Sequence, residues 1–456
     1  MNERGIMNTL ELSGQKRSAR GVLVALTMLG VLAACSEEDV VLPGKRENIR
    51  SDESVTADVS AVEAGNEARP ISLPSQSNNS NWEQSSGSPS TRVDHAALTL
   101  PLSQIWSTDI GDGDSRRNRI TAAPVVAGGR VFTLDAESQV TATTLAGERL
   151  WQTDIIPSSE KSGQATGGGL AFADGTLFVA SGYSAVVALE AATGKTAWTQ
   201  RLEGAASGTP TVFGGILYLT VSDEQGWALS ADEGRQLWTL IASPDANNVL
   251  GAPAPAVSND LAVFAFGSGE LQAVFRRGGL RRWDASVSGQ RLGTALGSVG
   301  DVTAGPVIVG STVYAGNQAG RTVALDLNSG ARKWTANEGA VGRIISAGGS
   351  VFLISDQNDL LRLNASNGEL IWRADLPRFN SSRPSRQSSV VAHHGPVLAG
   401  GQLHIASDDG LIRSFDPVSG AMTGSVEIPG GATSAPVVAG GVLYVVSTKG
   451  KLHAFR

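Results

Sequence analysis

Between residues 98 and 456 one short unit recurs eight times, and that recurrence restricts the fold more than any other feature of the chain. Its clearest copy is Thr-Pro-Thr-Val-Phe-Gly-Gly-Ile-Leu-Tyr-Leu at 209–219: a short strand, a glycine turn and a second strand. Its anchors Pro124, Leu170, Pro210, Pro255, Pro306, Ile344, Pro396 and Pro436 are spaced 46, 40, 45, 51, 38, 52 and 40 residues apart. A period in the low to mid forties with strand pairs inside it is the pattern of propeller blades.

The second half of each unit carries a glycine followed four residues later by tryptophan: Gly147/Trp151, Gly194/Trp198, Gly234/Trp238, Gly279/Trp283, Gly330/Trp334 and Gly368/Trp372. The glycine suits a turn needing positive φ, and the tryptophan opens the outer strand. A flat ring repeated at one place is expected to wedge between neighbouring blades, so these tryptophans read as structural. The unit anchored at Pro396 departs from the rule, because Gly420 is followed by Gly424.

The domain begins with a lone outer strand around Gln104–Asp109 and ends with three strands, from Pro436 to Phe455, that lack an outer partner. Joining them completes one blade and removes exposed sheet edges. The expected fold is therefore all-β, an eight-bladed β-propeller over 98–456 closed by the N-terminal strand; it has seven blades if the divergent unit near Ile344 is not one. Some 360 residues are ample for such a core.

The first 97 residues read differently. Lys16, Arg17 and Arg20 precede an apolar run, 22–33, that is too short to span a membrane and suits a secretory signal over 1–34. Leu32-Ala33-Ala34-Cys35 resembles the lipobox of bacterial lipoproteins, which implies cleavage before Cys35 and lipidation of it. Ser36 after that cysteine resembles the sorting signal of cargo sent on to an outer membrane. Cys35 is the only cysteine, so no internal disulfide and no cysteine-based metal site can form. Residues 35–97 are rich in Ser, Asn, Glu and Gly and read as a disordered tether, with Trp82 as the residue suited to dock on the domain. Cutting the signal removes four basic and two acidic residues from totals of 36 and 43, leaving a net charge near −9. That balance argues against nucleic acid as a partner.

The motif Ala-Leu-Glu-Ala-Ala-Thr-Gly-Lys-Thr-Ala-Trp at 188–198 and its weaker copies resemble the tryptophan-docking motif of quinoproteins. Two families share it: dehydrogenases that bind pyrroloquinoline quinone, and the BamB lipoproteins of outer-membrane assembly. The dehydrogenases carry a vicinal cysteine pair that this chain cannot supply. Their calcium site also has no obvious counterpart: the acidic stretches Asp109–Asp114 and Asp408-Asp409 read as loops and turns. The BamB resemblance covers lipobox, tether and propeller, and Asn81-Trp82-Glu83-Gln84 resembles a segment of alphaproteobacterial members. It implies a non-enzymatic, lipid-anchored subunit on the periplasmic side of the outer membrane that uses no cofactor. It further implies binding to the POTRA repeats of BamA and to other subunits of that machinery. The alternatives are a quinone-dependent oxidoreductase and a propeller that binds another envelope component.

In the BamB family two loops on one rim carry the contact. Here the corresponding positions are Val249, Leu250 and Gly251, where an expected arginine is missing, and Asp301 and Thr303, where threonine replaces a second aspartate. Loops 243–253 and 286–305 are long, and Leu292, Leu296 and Val299 lie among glycines. Loops on rigid scaffolds are where binding residues gather. His393, His394 and His404 do not read as a metal site, because adjacent strand residues face opposite ways. Arg276, Arg277, Arg281 and Arg282 read as a solvated turn, and the insertion 377–389 as a second contact loop.

Overall fold

A computed structural model describes residues 66–85, 92–206, 208–222, 224–244, 252–287, 289, 291, 300–381, 383, 387 and 389–456. Cys35, the signal 1–34 and the first part of the expected tether lie outside the described residues, as do Val249, Leu250, Gly251, Leu292, Leu296, Val299 and Arg386. Among the described residues the strands form eight four-stranded antiparallel sheets and there is no helix. Blades one to seven occupy 125–154, 168–201, 211–241, 256–286, 304–336, 341–375 and 393–427. The divergent unit is a blade, with Ile344 in its inner strand Val341–Ala347. Blade eight takes three strands from 437–455 and its outer strand, Gln104–Asp109, from the other end of the domain. Trp106 pairs there with Ala454 and Thr108 with Leu452. Because each blade is sandwiched between two others, its middle strands are buried on both faces. Leu261–Ala265, a wholly apolar run, is buried at every position.

The glycine–tryptophan repeat makes the contact between blades. Each indole lies over the turn glycine of the next blade: Trp106 over Gly147, Trp151 over Gly194, Trp198 over Gly234, Trp238 over Gly279, Trp283 over Gly330, Trp334 over Gly368 and Trp372 over Gly420. A Cβ added at any of these glycines would come within 2.5–2.8 Å of the ring, and all seven hold φ between +68° and +87°. The indole N–H donates to a carbonyl of the same turn; Trp198 to Ala231 O (3.0 Å) and Trp283 to Leu327 O (2.7 Å) are typical. Within its own blade the ring usually meets an aromatic two strands further in, as Trp151 meets Phe132 and Trp238 meets Tyr218. The expected wedge is thus real, and its receptor is the neighbouring blade's glycine.

Residues 66–85 and 92–98 do not behave as the tether expected up to residue 97. Asn66 and Glu67 meet the outer strand of blade six, and the others follow the inner strands and inner turns. Asn66 exchanges two hydrogen bonds with the Arg373 backbone of blade six, and Asn79 accepts from Gly440 N (2.7 Å) in blade eight. Trp82 and Val126 of blade one exchange backbone bonds of 2.7 and 2.9 Å; Glu83 O accepts from Phe172 N in blade two. The Gln84 amide pairs both ways with the Val212 backbone of blade three (2.8 and 3.0 Å). Arg92 donates to Ile308 O in blade five, and Ala96 bonds to Leu398 and Gly400 in blade seven. Composition misled here because this strap is held by backbone groups that the inner strands leave unpaired, and burial of a few anchors suffices. Trp82 is one of them, 4% exposed.

In the arginine cluster Arg277, Arg281 and Arg282 are exposed as expected, and Arg276 is the exception. Arg276 is buried, lies 5.0 Å from the Phe213 ring centre and donates from Nε to Asn259 O (2.6 Å). Its own carbonyl receives Trp238 Nε1 and Tyr218 OH. The histidines are separated by their partners: His393 contacts Ser407 Oγ and Pro377 O, His404 contacts Ser414 Oγ and Ala399 O. Burial pushes the imidazoles of His404 and His453 down from 6.5 to about 4.

Trp198→Ala should remove the ring, its N–H donor and its cover over Gly234, costing about 3–5 kcal/mol of stability. Denaturant unfolding checks this, and an unchanged midpoint would mean that the docking is dispensable. The histidines give a pH dependence. A group that resists protonation only when folded lends stability that is complete above its unfolded value of 6.5 and is lost as pH falls toward about 4. Thermal unfolding followed across that window should show the decline, and His404→Gln should reduce its slope.

Candidate partner-binding face

The strap divides the propeller into two unlike faces. It touches the inner hairpin turns, where Gly348 meets Ile71 and Gly400 meets Leu98. The connections between blades emerge at the opposite ends of the inner strands, and all the rim positions expected from the sequence belong to these connections.

The structure brings Asp301 and Thr303 together at the base of the connection into blade five. Asp301 is 6% exposed and its carbonyl accepts from Gln318 N (3.2 Å); Thr303 Oγ1 donates to Ala340 O (2.8 Å). Both residues help seat the loop, while Val249, Leu250 and Gly251 fall outside the described residues.

The same connection carries a feature that sequence reading missed. Arg291 reaches across to blade six, where Nε donates to Asp356 Oδ2 (2.8 Å) and Nη2 to Asp356 Oδ1 (3.1 Å) and Glu338 Oε2 (3.0 Å). Glu338 also receives Arg373 (2.5 Å), and Arg373 lies 3.4 Å from Asp359. Two-pronged guanidinium–carboxylate contacts are stronger and more directional than single ones. Hydrogen bonding to Asp356 holds the Arg291 guanidinium above its ordinary range, and burial raises the Asp359 carboxyl against the pull of Arg373. The network thus pins Arg291, near the start of this connection, against Asp356 of blade six and Glu338 of the next connection. Arg291 lies 47 residues from Glu338 and 65 from Asp356 in sequence, so no local signal marked the pairing.

The acidic stretches are turned to structural use. Asp114 accepts from Ile120 N (2.9 Å) and from Thr433 Oγ1; Asp409 is held by both terminal nitrogens of Arg413 (3.1 and 2.5 Å). Asp135, raised by burial, accepts the N–H groups of Asp112, Glu137 and Gln139. Among the described residues no three His, Cys, Asp or Glu side chains gather around one point.

The central channel is a cavity of about 180 Å³, lined by the inner-strand residues Leu170 and Ile344 and by Thr121, Thr209, Pro253 and Thr303 just before other inner strands. Trp82 lines its strap end, with Arg343 5.0 Å from the indole ring centre. Burial lowers the Arg343 guanidinium to about 10, which leaves it charged at neutral pH.

Comparison with known proteins agrees with this architecture. A family model described as outer membrane protein assembly factor BamB matches residues 136–374 and 358–456. BamB of Yersinia pestis is 30% identical over 318 residues, covering 67% of this chain and 79% of that protein. BamB of Escherichia coli K12 is 26% identical over 315 residues, covering 68% and 76%. Among solved structures, BamB from Moraxella catarrhalis superimposes with TM-score 0.61 at 17% identity, covering 78% of this chain and 98% of that one. A quinohemoprotein alcohol dehydrogenase from Comamonas testosteroni shares the fold equally well, with TM-score 0.61 at 14% identity over 83% and 81%. Likeness at that identity speaks for the propeller alone. The family model and the sequence relatives carry the assignment: the chain belongs to the BamB family of outer membrane protein assembly factors.

Proposed function

We propose that this protein is a non-enzymatic scaffold subunit of the outer-membrane β-barrel assembly machinery, anchored through lipids on Cys35 to the periplasmic face of that membrane. Its partner is the string of POTRA repeats of a BamA-like protein, engaged by the blade connections. The observation that carries the reading is the asymmetry of the propeller. One face is overlaid by the chain's own strap, and the other presents connections braced by the Arg291–Glu338–Arg373 network. A rigid platform that pre-orders its loops binds at a lower entropic cost. The acidic balance is compatible with a basic protein surface opposite. The loop residues Val249, Leu250 and Gly251 are assigned here by resemblance, and Asp301 and Thr303 act by setting the shape of their loop.

A quinone-dependent oxidoreductase is the weaker reading. The vicinal cysteine pair of that family cannot exist in a chain with one cysteine, and Trp82 lines the strap end of the central channel. No step through a quinone is derived.

Cys35→Ala should move the protein from the membrane fraction to a soluble periplasmic one; retention on membranes would remove the anchor from the account. Affinity purification of the lipidated protein from gently solubilised outer membranes should recover a POTRA-bearing barrel protein. Recovery of a different envelope protein in its place would overturn the partner assignment. Arg291→Lys, which keeps a charge beside Asp356 but loses the two-pronged contact, should weaken that capture by about tenfold, equivalent to about 1.4 kcal/mol, with a smaller loss of thermal stability than Arg291→Ala. Asp301 is a poorer test, because charge reversal at so buried a carboxylate is expected to lower stability as well.

A further inference from the structure

Seven blade junctions are filled by an indole, and the eighth is not. In blades one, two, three, five and eight the cross-strand row beneath the ring runs aromatic, alanine, tryptophan; Phe178–Ala188–Trp198 and Tyr314–Ala324–Trp334 are two of these rows. At the equivalent positions blade seven has His404, Ser414 and Gly424. The reason for the break lies in the closure. Blade eight has no turn into its outer strand, since that strand comes from the N-terminal side, so no turn glycine is there to receive a ring. The segment Leu100-Pro101-Leu102 runs through that place instead. Between it and blade seven remains a cavity of about 310 Å³, walled by Leu100, Pro101, Leu102, Thr423, Gly424 and Val426. That is the lower end of the roughly 300–1,000 Å³ usual for ligand sites.

The floor of this cavity is satisfied, since His404 Nδ1 and Ser414 Oγ bond to each other at 2.9 Å. What is missing is the ring. A Cβ at Gly424 would meet nothing within 4 Å, and its backbone is not in the left-handed region. Gly424 lies in the strand Met422–Glu427, the outer edge of its sheet, where every residue but Val426 is exposed. An edge glycine is a place where an aromatic side chain on an added strand can cover the exposed backbone.

The undescribed parts of the chain hold no aromatic ring of Trp, Phe or Tyr to place in this socket. All nine tryptophans, eleven phenylalanines and four tyrosines lie among the described residues. Seven of the tryptophans occupy the other junctions, and Trp82 and Trp227 are buried elsewhere.

We infer that the junction between blades seven and eight is a docking socket for another protein: an extended segment that pairs with the edge strand Met422–Glu427 and lays an aromatic ring, best an indole, over Gly424. Main-chain pairing supplies part of the affinity, and the ring in its pocket supplies selection. The site stands apart from the blade connections, so its success or failure leaves the POTRA reading untouched.

The test uses the detergent-solubilised full-length protein and a ten-residue peptide of alternating Thr and Val with one central Trp, followed by calorimetric titration. The Trp peptide should bind, and its Ala counterpart at least about tenfold more weakly. Gly424→Trp, which supplies the ring in cis, should abolish binding while raising the unfolding temperature. Leu102→Trp fills the same cavity from the opposite wall and should also abolish it, which keeps the test decisive if one variant folds poorly. Equal binding of the two peptides, binding unaffected by both variants, or no binding of the Trp peptide would overturn the inference. So would self-association of the wild type that both variants and Phe275→Ala abolish, since Phe275 is an exposed ring of this chain (42%) and the occupant would then be a second copy.

Discussion

An indole laid over the glycine of the next blade is the contact on which this molecule depends. It needs three things at once: a flat ring on one outer strand, a turn without a Cβ on the neighbour, and a carbonyl in that turn to take the indole hydrogen. All three recur at seven junctions. No blade could bury its two faces alone, so the contact also decides how many blades there are: the ring must close. Closure is made by backbone pairing between Gln104–Asp109 and the last strand, and that solution removes the eighth turn and with it the eighth ring. The irregularity of blade seven is thus a consequence of how the circle is joined.

The strap gives the ring a direction. Inner strands of a propeller leave backbone groups facing the channel, and residues 66–85 and 92–98 satisfy several of them; with Asn66 on the outer strand of blade six, they touch seven of the eight blades. The chain enters the strap at blade six and leaves it to become the closing strand of blade eight. A propeller without such a strap would offer two similar faces. Here the blade connections are set apart, and the salt bridges of Arg291 with Asp356 and Glu338 and of Arg373 with Glu338 tie residues of two of them to blade six.

Much of this was legible before any coordinates. The proline-anchored hairpins and the glycine–tryptophan spacing are local patterns, each written within a dozen residues, and they led directly to eight blades and to closure by the N-terminal strand. What stayed hidden was non-local. The strap reads as a polar linker because its bonds come from main chain, and only Trp82 betrays it. Arg276 reads as one of a solvated group because nothing in the sequence tells that Phe213 lies beneath it. The partner of each indole is on the following blade, 31 to 45 residues away between hydrogen-bonded groups such as Trp334 with Ala365 and Trp372 with Pro417, although a glycine stands four residues before most of the rings. For the partner-binding face, Asp301 was legible only as a loop position; its burial follows from loop geometry that spacing does not encode.

The central claim is that the two faces have different duties. Hydrogen exchange on the lipidated protein, alone and with purified POTRA repeats, tests it most directly. The account predicts slowed exchange in the blade connections, including 300–303 and 337–340, and unchanged exchange at the hairpin turns beneath the strap. Protection of those hairpin turns, with the connections unaffected, would contradict it.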